Sequence, residues 1–147
     1  MGGGKFSTKH TKKMGMDAEK LFEDILNKLN IKYTNASKEQ EKKEHWDFKI
    51  GRNKKIKSGK YEIKSAKAKS RGQDKDFDII YIEIRSVGGN KGWIFGDADY
   101  IAFETPDGFL VFPREKLLKY ISCLFEFMPF SNKSGNIEYI IKTPKKS

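Results

Sequence analysis

HWDFKI (residues 45–50), GRNKKIKSGK (51–60) and YEIKSAKAK (61–69) run on from one another as one stretch. Two short apolar runs flank a turn-rich basic centre, and that is the pattern of a β-hairpin. Gly51-Arg52-Asn53 and Ser58-Gly59 supply the turn residues. The first run carries Asp47 and the second the triplet Glu62-Ile63-Lys64, with fourteen residues between the two acids. Side chains alternate along a strand with period two, so Glu62 and Lys64 share a face while Ile63 points into the core. Strand pairing then brings Asp47 beside them.

Two carboxylates and a lysine in this arrangement suit the hydrolysis of a phosphodiester. That reaction needs a cation that lowers the pKa of a water and offsets charge growing on the phosphate. Mg2+ takes hard oxygen ligands, typically one or two carboxylates with water in the remaining positions. Asp47, Glu62 and the carbonyl of Ile63 are the expected metal ligands, with Mn2+ as a substitute ion. Lys64 is expected to reach the attacking water or the phosphate, since a lysine pKa falls readily in a desolvated site.

Charge is partitioned along the chain. The formal net charge is +10 over 147 residues, of which residues 49–71 contribute +9 and residues 1–13 contribute +4, leaving a slightly acidic remainder. A basic surface polarised in this way concentrates a polyanion through counterion release. Arg52, Lys54, Lys55, Lys57, Lys60, Lys67, Lys69 and Arg71 are the expected phosphate contacts, which position a nucleic acid without reading its sequence.

The length and 37% hydrophobic content fit a single compact domain over residues 14–143, with a flexible basic arm at 1–13 and a basic tail at 144–147. One cysteine, Cys123, excludes an internal disulfide and a cysteine-based zinc site, which points to a reducing intracellular location, cytoplasmic or nucleoid-associated. No apolar run approaches the roughly 20 residues of a membrane span. The N-terminal MGGGKFSTKHTKK has no apolar core, so no secretory signal is expected.

Ala18, Leu21, Phe22, Ile25, Leu26 and Leu29 recur at helical spacing. A helix is expected from Gly15 or Asp17 to Asn30, with Glu19 on the rim of its apolar face, where an acid can look into a site at the core's edge. Residues 31–33 read as a short extended piece, and 34–44 as polar chain without an apolar face. Further strands are expected at 77–85, 100–104 and 109–112, with a turn at Thr105-Pro106-Asp107-Gly108. Pro113 opens a second helix with Leu117, Leu118 and Ile121 inward, and 137–141 forms a last apolar run. The order is that of an α/β sandwich: a central mixed β-sheet flanked by an N-terminal and a later helix.

Other residues have chemical readings of their own. Glu83, in the longest strand, is either a supporting acid beside the metal or an edge glutamate. Trp93 ends a glycine-rich loop and reads as an anchor to the core before it reads as a base-stacking residue. Asp97 and Asp99 stay outside the expected ligand set. His45 is a polar neighbour of the site, and neither Ser65 nor Cys123 has a base partner for a nucleophilic triad.

The constellation Asp47…Glu62-Ile63-Lys64, preceded by a helix bearing Glu19, resembles the PD-(D/E)XK nuclease superfamily, the restriction-endonuclease-like fold. Matched residue by residue, Asp47 is the first acid, Glu62-Ile63-Lys64 the triplet and Glu19 the helix glutamate. Gly15-x-x-x-Glu19-x-x-Phe22, the chain length and the basic hairpin look like the small archaeal-type Holliday-junction resolvases of that superfamily. Residues 45–104 also look like its small phage-type nucleases, which admits a virus-encoded enzyme acting in its host. Trp46 stands where the superfamily often has proline. The resemblance implies a Mg2+-dependent endodeoxyribonuclease acting on branched DNA as a homodimer, with Leu124–Phe130 as a candidate dimer surface. No membrane partner and no small-molecule cofactor are implied. A sequence- or strand-specific endonuclease and a non-catalytic nucleic-acid-binding protein are the rival expectations.

Overall fold

Residues 17–66, 75–77, 79–85, 91–123, 130–131 and 137–142 are described by the computed structural model. Helix α1 covers residues 17–28. Ala18, Phe22 and Leu26, one turn apart, are its buried stripe, while Leu21, Ile25 and Leu29 at the stripe's flank stay partly exposed. Asn30 ends the helix as expected. It adopts the left-handed conformation (φ 55°) and lets the Ile31 amide turn back to the Leu26 carbonyl at 2.9 Å.

Strand β1 (Tyr33–Asn35), helix α2 (Lys38–Glu44), β2 (Phe48–Ile50) and β3 (Gly59–Lys64) follow. The expected hairpin is present: β2 and β3 pair antiparallel, with Phe48 opposite Tyr61 and Ile50 opposite Gly59. After β4 (Ile79–Arg85) come a 3-10 turn at Trp93–Phe95, β5 (Tyr100–Thr105), β6 (Gly108–Pro113), α3 (Arg114–Cys123), β7 (Phe130–Ser131) and β8 (Ile137–Lys142). The Pro106-Asp107 turn closes the β5–β6 hairpin, and Gly108 takes a φ of 156° there. Pro113 ends β6 rather than opening α3.

Five strands form a mixed sheet in the order β1-β2-β3-β5-β6, in which β3 and β5 run parallel and the other neighbours antiparallel. The alternation of β5 divides its two faces: Ile101 and Phe103 face one core, Ala102 the other. On one side lies α1, whose Phe22 ring stands 5.5 Å from Phe48, 5.6 Å from Tyr61 and 5.2 Å from Phe109 between centroids. On the other lie α3, the 3-10 turn and β4, which contribute Leu117, Ile121, Trp93, Ile94, Ile80 and Ile82.

Two expectations need correction. Strand β4 does not join the central sheet; it pairs with β8 in a separate antiparallel sheet of order β4-β8-β7. A strand's apolar pattern marks it as half-buried but does not say which partner strand completes it. The stretch 34–44, read as polar chain without an apolar face and with no element assigned, contains α2. This helix buries none of its residues and rests on a capping box instead. The Gln40 amide donates to Ser37 Oγ at 3.1 Å, and the Ser37 amide donates to Gln40 Oε1 at 2.9 Å.

Candidate metal and phosphodiester site

Asp47 stands where β2 and β3 part. Its amide donates to the Tyr61 carbonyl at 2.8 Å and its carbonyl accepts from the Ala36 amide at 2.9 Å, so its backbone is held from both neighbouring segments. Two residues further along β3 the side chain takes the place of a backbone acceptor. The Ile63 amide donates to Asp47 Oδ2 at 2.7 Å. In an extended strand the N–H and C=O of one residue leave on the same side, so the Ile63 carbonyl also points toward Asp47.

Glu19, Glu62 and Lys64 meet at this carboxylate. Glu62 is 7% exposed and hydrogen-bonds to Asp47 through its side chain. Burial, and next the Asp47 carboxylate and Glu19, push the Glu62 carboxyl well above its ordinary range, while Lys64 pulls the other way. Glu19 comes down from the first turn of α1 and hydrogen-bonds to the same Asp47. Burial, followed by Asp47 and Glu41, raises its carboxyl to about 8. Three charges of one sign in a desolvated space cannot all ionise unless a cation compensates them.

Glu41 is the site residue that sequence reasoning missed. It projects from α2, and single carboxylate oxygens of Glu19, Glu41 and Asp47 lie within 4.8 Å of one another. Burial and Asp47 raise its carboxyl as well. The only local signal is Ser37-Lys38-Glu39-Gln40, a capping-box spacing that marks the start of a helix without any apolar period. The far end of α2 is docked with equal care. His45 takes the left-handed conformation (φ 57°), and its amide donates to the Gln40 carbonyl at 3.1 Å. The Asp97 amide donates to the Glu44 carbonyl at 2.7 Å, and Trp46 Nε1 donates to Glu44 Oε1 at 3.0 Å. Gly96 permits this approach, since a Cβ there would stand 2.7 Å from that of His45. Burial, then Lys64, lower the His45 imidazole, which keeps it neutral at physiological pH.

The ammonium of Lys64 lies 5.0 Å from the centroid of the Trp93 ring. Trp93 is 4% exposed and anchors the core, as expected. Glu83, on β4, lies close enough to His45 for its charge to act on the imidazole. Asp99 is structural. Its carboxylate accepts from the Lys60 amide at 2.8 Å and its own amide donates to the Lys60 carbonyl at 2.8 Å.

The basic residues do not surround the carboxylates. Lys55 donates to the carbonyl of Leu29, at the C-terminal end of α1, whereas Glu19 is at its N-terminal end. Glu19 and Leu29 are ten positions apart in the chain, about 15 Å at 1.5 Å per residue. The turn of the hairpin and the acids therefore occupy opposite ends of it. Lys60 is engaged by the Trp46 ring (5.3 Å) and by Glu44 (3.7 Å). Arg52, Lys54 and Lys57 are exposed. Lys67, Lys69 and Arg71 lie outside the described residues.

No protein-family model matches the chain, and no match is found among curated proteins or solved structures. Among the described residues, no helix is long and apolar enough to cross a membrane.

Proposed function

We propose that the protein is a metal-dependent endodeoxyribonuclease of restriction-endonuclease-like fold. The observation that carries the reading is the meeting of four acids and a lysine from α1, α2, the start of β2 and β3. Two of those acids, Glu19 and Glu62, hold their protons well above the ordinary carboxylate range. The donor set is all hard oxygen, and Glu19, Glu41 and Asp47 come within 4.8 Å of one another, which fits Mg2+ or Mn2+. Asp47, Glu62 and the Ile63 carbonyl would hold the ion, with Glu19 and Glu41 beside them. When bound, such an ion supplies Lewis acidity at the phosphate and a nucleophile near neutral pH.

The residues of the chain have separate tasks. Asp47 is oriented by the Ile63 amide and accepts side-chain hydrogen bonds from its neighbours. Glu19, whose carboxyl is raised to about 8 in the metal-free cluster, would be the acid beside the ion. Lys64 brings a positive charge to the phosphate or to the attacking water. Arg52, Lys54 and Lys57 are exposed in the turn, at the end of the hairpin remote from the acids. A duplex lying along the hairpin reaches both the basic turn and the acids.

Branched DNA is the substrate we assign, cut by a homodimer acting inside a cell, because phosphate-directed cations select by shape. The candidate dimer surface at 124–130 falls almost wholly outside the described residues. A cleavage panel of four-way junction, flap, linear duplex and single strand with Mg2+ tests the assignment, with Asp47→Asn as control. Cutting of the junction well above its linear arms is expected. Equal rates would point to a sequence- or strand-specific nuclease, and binding without any cut in Mg2+ or Mn2+ to a non-catalytic binding protein.

A further inference from the structure

We infer that Trp93 is the positioning residue that holds the Lys64 ammonium at the carboxylate cluster, an inference whose kinetic consequence rests on the nuclease reading above. Lys64 closes β3, and its side chain leaves on the same face as Glu62. Among the described residues, no carboxylate forms an ion pair with it. What stands under its ammonium is the face of an indole, 5.0 Å from centroid to nitrogen. The ring's quadrupole attracts the cation there.

The ring itself is buried in the core. Trp93 is 4% exposed, meets Phe103 in an edge-on contact at 5.9 Å, and begins the 3-10 turn that packs against α3 and β4. A buried carboxylate in its place would neutralise the lysine and take up its N–H donors. An aromatic face orients the same charge and leaves donors free for a phosphate oxygen or water. The neighbouring pair makes the contrast. Lys60, two turns of the pleat earlier on β3, also lies over an indole, that of Trp46, but it has Glu44 at 3.7 Å as well. Lys60 is thus tied into the structure, whereas Lys64 is aimed and left available.

Trp93→Leu and Trp93→Phe test this in the full-length protein, beside Leu117→Ala as a defect in the same core contributed by α3. Trp93→Leu should lower kcat roughly tenfold with KM little changed, and Trp93→Phe should recover most of the loss. Leu117→Ala, assayed below its melting temperature, should keep wild-type kcat. Tryptophan emission gives a readout that needs no catalysis. Lys64→Met should change the component of the spectrum that Trp93→Phe removes. An unchanged spectrum in Lys64→Met overturns the inference, as does an equal fall of kcat in Leu117→Ala or wild-type kcat in Trp93→Leu. Absence of any cleavage by the wild-type protein would instead remove the nuclease reading, while the emission measurement still decides whether the ring holds the lysine.

Discussion

On the proposed reading, Lys64 would supply charge at the scissile phosphate rather than a contact along the length of a duplex. Its replacement by alanine should abolish cleavage while DNA affinity stays nearly as it was, checked by single-turnover cleavage beside a binding titration. The acids give a second, pH-dependent outcome. Glu19 keeps its proton up to about pH 8 in the folded chain, against 4.5 as its ordinary value. The folded state therefore holds more protons than the unfolded one across that window, and stability falls as pH rises through it. Glu62 acts in the same direction. Thermal melts in EDTA should lose midpoint temperature from pH 5 to pH 8, and Mg2+ or Mn2+ should flatten that slope, since the ion takes over from the protons. A midpoint that climbs with pH in EDTA would sink this account of the cluster. Much of this scale is legible in the sequence. Alternation along β3 places Glu62 and Lys64 together, helical spacing puts Glu19 at the rim, and the hairpin delivers Asp47. Glu41 is not legible, because its position depends on a helix that shows no apolar period.

Helix α2 is the element most dependent on local chemistry. With none of its residues buried, it gains nothing from the core and relies on its two ends. Ser37→Ala removes the N-cap, a change that costs about 1 kcal/mol in the helix. Because α2 buries none of its residues and its contacts at Glu44 lie at the far end from the cap, the global melting temperature should barely move. Hydrogen exchange at residues 40–45 should instead accelerate, and Mn2+ affinity should weaken severalfold as Glu41 loses its place. Equal protection in both proteins would show that tertiary contacts at Glu44 and Asp97 suffice to hold the helix. At this scale β4 also escapes a reading of the sequence. Its alternation marks a strand, but its pairing with β8 requires the meeting of segments more than fifty residues apart.

Across the whole molecule the charges are sorted by position. The acids sit where β2 and β3 part, and the exposed cations of the turn sit at the other end of the same hairpin. That separation follows from strand direction: Asp47 precedes β2 and Glu62 comes late in β3, so both are remote from the turn that joins them. Composition reveals the excess of charge but not its distance from the site. Arg52, Lys54 and Lys57 should then act on binding alone. Replacing all three by alanine should weaken DNA binding uniformly across sequences. The slope of log affinity against log salt should become shallower by about 0.9 for each phosphate that is no longer neutralised. The cleavage rate at saturating DNA should be unchanged. A salt slope identical to that of the wild type would place the DNA elsewhere on the surface.

The manner in which α2 is tethered also says what divergence could leave intact. Lys38, Glu39, Lys42 and Lys43 face water and can vary among related chains with little penalty. Ser37, Gln40, Glu41, Glu44, Trp46 and Asp47 each make a contact that positions the cluster or its support. Distant kin should therefore share the spacing Ser-x-x-Gln-Glu-x-x-Glu-x-Trp-Asp even where the remaining letters have drifted beyond resemblance. That eleven-residue word, rather than the hairpin's lysine-rich turn, is the signature by which such kin would be recognised.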